Sequence, residues 1–107
     1  MNIEIIRDYV LQKPFVTEGF PFGDGVIVFK VNNKAFLLLP LDGDGLQFNV
    51  KCNPEYAIEL REQYSCIQPG FHMNKKHWNT IFVDGTLTAQ QLKKFIYDSY
   101  SLVHKKG

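Results

Sequence analysis

Two apolar runs separated by a pair of asparagines constrain this chain more than any other feature. Val26-Ile27-Val28-Phe29-Lys30-Val31 is rich in β-branched residues and predicts a strand. Asn32-Asn33 follows, and asparagine tolerates the left-handed backbone that a two-residue hairpin turn requires. Lys34-Ala35-Phe36-Leu37-Leu38-Leu39 returns as a second strand, apolar enough to predict a central place in the sheet. Pro40 stops it, and Asp42-Gly43-Asp44-Gly45 makes the next turn. That turn lacks the closing Glu of a calcium loop, so it reads as a turn only. Leu46-Gln47-Phe48-Asn49-Val50 alternates apolar and polar residues, the pattern of a strand wetted on one face.

Helices bracket these strands. Residues 2–13 predict a helix with Asn2 as its cap, Glu4 at its positive start, and Ile3, Ile6 and Val10 on one face. Lys13-Pro14 ends it, since a residue before proline avoids the α region. Phe15 to Gly25 reads as a loop, with the Phe20 and Phe22 rings expected to plug one end of the core. Asn53-Pro54-Glu55 starts a second helix, with Ala57, Leu60 and Tyr64 on its inner face. Cys66-Ile67-Gln68 leads into a turn at Pro69-Gly70, Phe71-His72-Met73 suggests a short strand, and Asn79-Thr80-Ile81-Phe82-Val83 a clear one. Thr88-Ala89-Gln90-Gln91 is a capping box, with Leu87 and Leu92 as its hydrophobic staple. The last helix then buries Leu92, Phe95, Ile96, Ser99, Leu102 and Val103. The predicted order is α-β-β-β-α-β-β-α. Hairpin-length connections make the sheet largely antiparallel, with helices on one face: a two-layer α+β sandwich.

The chain has 107 residues, the length of one domain (1–107), and can build a core without metal or disulfide support. Its net charge of +1 does not describe a strongly basic nucleic-acid binder. The halves differ, however: residues 1–50 carry net −2 and residues 51–107 net +3. Any electropositive face should come from the second half. Cys52 and Cys66 are expected to be reduced thiols, with no zinc spacing around them. No signal peptide is read at the start, and no apolar run approaches the ~18 residues of a membrane span. A cytoplasmic protein without membrane contact is the expectation.

Chemistry concentrates between Pro69 and Gly85, which holds the only Trp, two of the three His, and a lysine pair flanked by asparagines. His72 and His77 are five apart, which matches neither a helical metal pair nor one face of a strand. No nucleophile elbow, phosphate loop or zincin motif is present, so no catalytic residue, metal ligand or cofactor is assigned and the chain is not expected to be an enzyme. Nucleic-acid contact needs cations for phosphates together with amides and aromatics, and His72, Asn74, Lys75, Lys76, His77, Trp78 and Asn79 supply them. Lys51, Lys105 and Lys106 can extend the patch if the fold brings them near. The alternative is a protein-interaction domain using Phe71, Met73 and Trp78. Oligomeric state is not legible.

Several runs resemble one family. They are Val16-Thr17-Glu18-Gly19-Phe20-Pro21-Phe22-Gly23, Val28-Phe29-Lys30-Val31, Asn49-Val50-Lys51-Cys52 and Leu60-Arg61-Glu62-Gln63-Tyr64, and above all the long run from Pro69 to Thr80. The sequence is similar over nearly its whole length to the MmcQ/YjbR family of small bacterial proteins. The resemblance implies a fold like frataxin (CyaY) and secretion-chaperone domains. It also implies a DNA-binding role through a "double wing" motif, with no catalytic residues to carry over. Frataxins hold iron on an acidic ridge of the first helix, where this chain offers only Glu4 and Asp8.

Overall fold

The computed structural model describes residues 1–43, 45–70 and 73–106, and the side chains of all of these but Lys106. Helix α1 (Ile3–Leu11) starts where Asn2 Oδ1 accepts from the Ile5 amide at 2.8 Å. Strands β1 (Thr17–Gly19), β2 (Val26–Val31), β3 (Lys34–Pro40) and β4 (Gln47–Lys51) follow, then helix α2 (Pro54–Gln63). Strands β5 (Ile67–Pro69) and β6 (Trp78–Phe82) precede helix α3 (Ala89–Lys106). The six strands form one antiparallel sheet in the order β1-β2-β3-β4-β6-β5.

The asparagine hairpin forms as its chemistry requires, with Asn32 at φ 53° and Asn33 at φ 63°. The capping box also forms: Thr88 Oγ1 accepts from the Gln91 amide at 3.1 Å, and Gln91 Oε1 accepts from the Thr88 amide at 2.9 Å. Alternation along the central strands sends Phe29, Leu37, Leu39, Phe48, Val50 and Ile81 into one core with Ile6 and Val10 of α1 and Leu92, Phe95 and Ile96 of α3. Burying each such side chain contributes about 1.5–3 kcal/mol. Helices therefore cover one face of the sheet; the other, uncovered face carries no helix, although Val28, Trp78 and Thr80 on it are buried.

Two expectations are corrected, and a third falls mostly outside the described residues. The segment read as a loop carries an extra strand, β1, pinned to α1 because Arg7 donates to both Glu18 carboxylate oxygens at 2.8 and 2.5 Å. The strand expected at Phe71-His72-Met73 lies outside the described residues in its first two positions, and the strand observed before it is Ile67–Pro69. Phe20 and Phe22 do not plug the core: they are 48% and 74% exposed, beside Phe15 at 80%.

A β-bulge sets how the sheet meets α3. Phe29 pairs with Leu37 but Lys30 pairs with Ala35, so Phe36 is the extra residue of β3. Its carbonyl has left the ladder and accepts from Ser99 Oγ at 2.6 Å, while Ser99 Oγ accepts from the Lys51 amide at 2.9 Å. One buried hydroxyl thus joins two strands through a helix.

Candidate nucleic-acid interface

Just before β6, residues 74–77 form a turn built by Asn74. Its side-chain oxygen accepts from the Lys76 amide at 3.0 Å. Its carbonyl accepts from the amides of His77 and Trp78 at 3.1 and 3.0 Å. This is the Asx geometry that asparagine favours. The His77 carbonyl then accepts from the Cys52 amide at 2.7 Å and ties the turn to the end of β4. Two residues on, Asn53 caps α2 by accepting from the Glu55 amide at 3.0 Å. The turn is therefore tied to the sheet at its β6 end, and Lys75, Lys76 and His77 are exposed on it.

Arg61, from the inner side of α2, braces the turn from below. Its Nε donates to Asn79 Oδ1 at 2.6 Å, and its terminal nitrogen donates to the carbonyls of Lys75 and Trp78. Sequence reasoning assigned Arg61 no role. The available signal was a charge sharing the face of Ala57, Leu60 and Tyr64, where an apolar residue was due.

Trp78 is the expected anchor, 8% exposed. Its ring lies on the uncovered face, with Lys51 Nζ 5.7 Å from the ring centroid. Gly70 is required beneath it: a Cβ there would sit 3.0 Å from Trp78 Cβ and 3.2 Å from the Trp78 carbonyl oxygen. Of the two asparagines read as groups facing a ligand, Asn79 is instead internal, while Asn74 is exposed. Asn79 is 1% exposed, held by Arg61 and by its own donation to the Ala57 carbonyl at 3.4 Å. Asn74 Oδ1 is committed to its own turn. His72 lies outside the described residues.

The fold brings together cations that are far apart in sequence. Lys34, Lys51 and His77 line a depression of about 170 Å³ against Leu102 and Val103 of α3. On the other flank, Arg61, Lys75 and Lys76 line a groove of about 340 Å³ with Pro54, Glu55 and Ile58. The ion pairs among the described residues are Arg7–Glu18 and Lys94–Asp98, so no carboxylate contact neutralises Lys75 or Lys76.

The two cysteines and Asp84 have distinct local surroundings. Burial, with Asp98 nearby, pushes the Cys52 thiol up to about 11, and burial raises Cys66 as well. Both are free thiols, protonated at neutral pH and poor nucleophiles. Asp84 accepts from the Thr86 amide at 2.9 Å in the turn after β6, and the Thr86 side chain, then that amide, hold its carboxyl below the usual range. Among the described residues no three His, Cys, Asp or Glu side chains converge as a metal site, and no helix is long and apolar enough to cross a membrane.

The YjbR family model matches residues 11–102, which include the turn, β4, both flanking helices and the phenylalanine loop. The chain belongs to the YjbR family. The uncharacterised protein YbdF of Escherichia coli O157:H7 is 36% identical over 101 residues, covering 94% of this chain and 82% of that one. The uncharacterised protein YjbR of Escherichia coli K12 is 29% identical over 100 residues, covering 94% and 85%. A Deinococcus radiodurans protein with a DUF419 domain superposes with a TM-score of 0.92 at 38% identity, over 99% of this chain and 80% of that one. A Pseudomonas syringae protein superposes at 0.82 with 30% identity, over 96% and 99%. These likenesses establish family and fold.

Proposed function

We propose that this YjbR-family chain is a non-enzymatic DNA-binding module whose contact is weak and directed mainly at phosphates. The observation that carries the reading is the exposed Lys75-Lys76 pair on a turn held by Asn74, Arg61 and the Cys52 amide, flanked by Lys51, Lys34 and His77. Lys75 and Lys76 meet phosphates as point charges, and Lys51 continues the track onto the sheet. Asn74, exposed on the turn, shapes it through its side-chain oxygen, and the buried Asn79 supports it from β6 without facing a ligand. A handful of phosphate contacts gives modest affinity that falls with salt, because each one releases about one counterion.

The test is fluorescence anisotropy of a labelled duplex titrated at several salt concentrations. Replacing both Lys75 and Lys76 by Ala lowers affinity and reduces the log–log salt slope by about two. An unchanged slope removes the turn from the interface.

A protein partner is the second reading, favoured by the exposure of Phe15, Phe20 and Phe22 on the segments either side of β1. It predicts concentration-dependent association in sedimentation that Phe15→Asp abolishes while duplex affinity stays unchanged.

A further inference from the structure

The uncovered face of the sheet has its own chemistry. Register sets a row across its middle: Val28, Leu38, Asn49, Thr80 and Gln68. The row is apolar on β2 and β3 and polar on β4, β6 and β5. Thr80 Oγ1 donates to Asn49 Oδ1 at 2.5 Å, which leaves the Asn49 amide nitrogen as a donor. One step toward the turn on the same face, Lys30 faces Ala35 and Lys51 faces Trp78. One step away, Val26 faces Pro40 and Gln47 faces Phe82. Among these paired positions the face carries two lysines and no carboxylate. Phe22 and Met73 stand over the middle row from either side and enclose a groove of about 420 Å³ floored by Leu38, Asn49 and Thr80.

We infer that this groove takes a base from an unpaired DNA strand, with the strand's phosphates on Lys51 and Lys30. The inference rests on the phosphate-directed reading above and names the form of nucleic acid. A nucleobase has flat apolar faces and a hydrogen-bonding edge, and the middle row offers an apolar half and an amide half side by side. Lys51 lies two residues from Asn49 on the same face, about 6.6 Å along the strand, which suits a phosphate joined to a base held there. Phe22, 74% exposed, supplies a ring for stacking that tolerates any base. The carboxylates of Asp24 and Asp42 lie in loops at the opposite end of β2 and β3, which sets the phosphate end at Lys30 and Lys51. A double helix keeps its bases stacked inside and cannot reach the groove's floor.

The probes are a labelled fifteen-nucleotide oligothymidine, its oligouridine counterpart and a hairpin duplex, titrated against the intact chain. Phe22→Ser, in an exposed loop, leaves the core untouched. It is expected to weaken oligothymidine binding by about tenfold, within the range for losing one stacked base, and to leave duplex binding unchanged. Backbone amide shifts on adding oligothymidine are expected at Val28, Leu38, Asn49 and Thr80. If Phe22→Ser leaves single-strand affinity unchanged, or the shifts stay within residues 74–77 while duplex binding remains salt-dependent, the groove assignment falls and the phosphate reading stands. If neither form binds, both fall. Tighter binding of oligouridine overturns the assignment to DNA. Self-association that Phe22→Ser abolishes, with no oligonucleotide shifts, gives the groove to a second copy of the chain.

Discussion

Arg61 offers the sharpest test of how the fold holds its candidate interface. The guanidinium serves three acceptors, but they do not weigh equally. The Lys75 carbonyl is near solvent and can turn to water. The Trp78 carbonyl keeps its bond from the Gly70 amide at 3.0 Å. Asn79 Oδ1 has no such recourse, because Asn79 is 1% exposed and its bond from Arg61 is lost outright. Arg61→Met retains the aliphatic packing and strands that oxygen, at a cost of about 2 kcal/mol. For a chain of this size that lowers the melting temperature by about 8 °C. The brace on the turn goes too, so the His77 and Trp78 amides should exchange faster. Arg61→Lys keeps the charge but reaches fewer acceptors, so duplex affinity should fall with the salt slope preserved. In a double-mutant cycle, adding Asn79→Ala to Arg61→Met should cost less than the sum, since the stranded acceptor is gone. Thermal melts and hydrogen exchange measure this. A loss under about 0.5 kcal/mol with exchange unchanged would refute the brace, because a stranded buried acceptor alone costs more.

Ser99→Ala leaves the Lys51 amide and the Phe36 carbonyl without a partner, and denaturant unfolding should show a loss of about 3 kcal/mol; a near-neutral result would mean β3 and β4 close directly. Cys52, protonated well above neutrality, should be alkylated by iodoacetamide at pH 8 about a hundredfold more slowly in the folded chain than in the unfolded one, and comparable rates would contradict its burial. Arg7 holds the Glu18 carboxyl below its usual range, so the unfolded chain takes up that proton at higher pH than the folded chain does. The pair's contribution is therefore full at neutral pH and drains as pH falls through the folded value. Glu18→Gln should flatten the acid side of the melting profile below about pH 5, and an unaltered profile counts against the pair.

The helices and central strands were legible because each is specified locally. Asn2, Asn53 and Thr88 cap where their side chains predict, and Asn32-Asn33 adopts the only backbone that closes so short a turn. The edges were not legible. Thr17-Glu18-Gly19 is too short to show alternation, and it forms a strand only because β2 offers a partner and Arg7 holds Glu18. Ile67-Gln68-Pro69 pairs on one side only, so Pro69 is tolerated at an edge where it would break an inner strand. At the site, the cations were visible as residue types but their grouping was not, since Lys34 and Lys51 meet His77 through the sheet and Arg61 meets the lysine pair from α2. Asn79 misled because Trp78, Asn79, Thr80 and Ile81 are all buried, β6 being covered on both faces, so its pattern did not tell in from out.

The hydroxyl of Ser99 also sets a length. From Thr88, which caps α3, to Ser99 is eleven positions, close to three full turns at 3.6 residues each. Cap and hydroxyl therefore share an azimuth on the helix. Inserting or deleting a single residue between them would swing the hydroxyl by about 100° and take the end of β4, with Lys51 on it, out of alignment. This stretch of helix can change its outward-facing residues freely, yet its count works as a gauge that holds the positive end of the sheet in place.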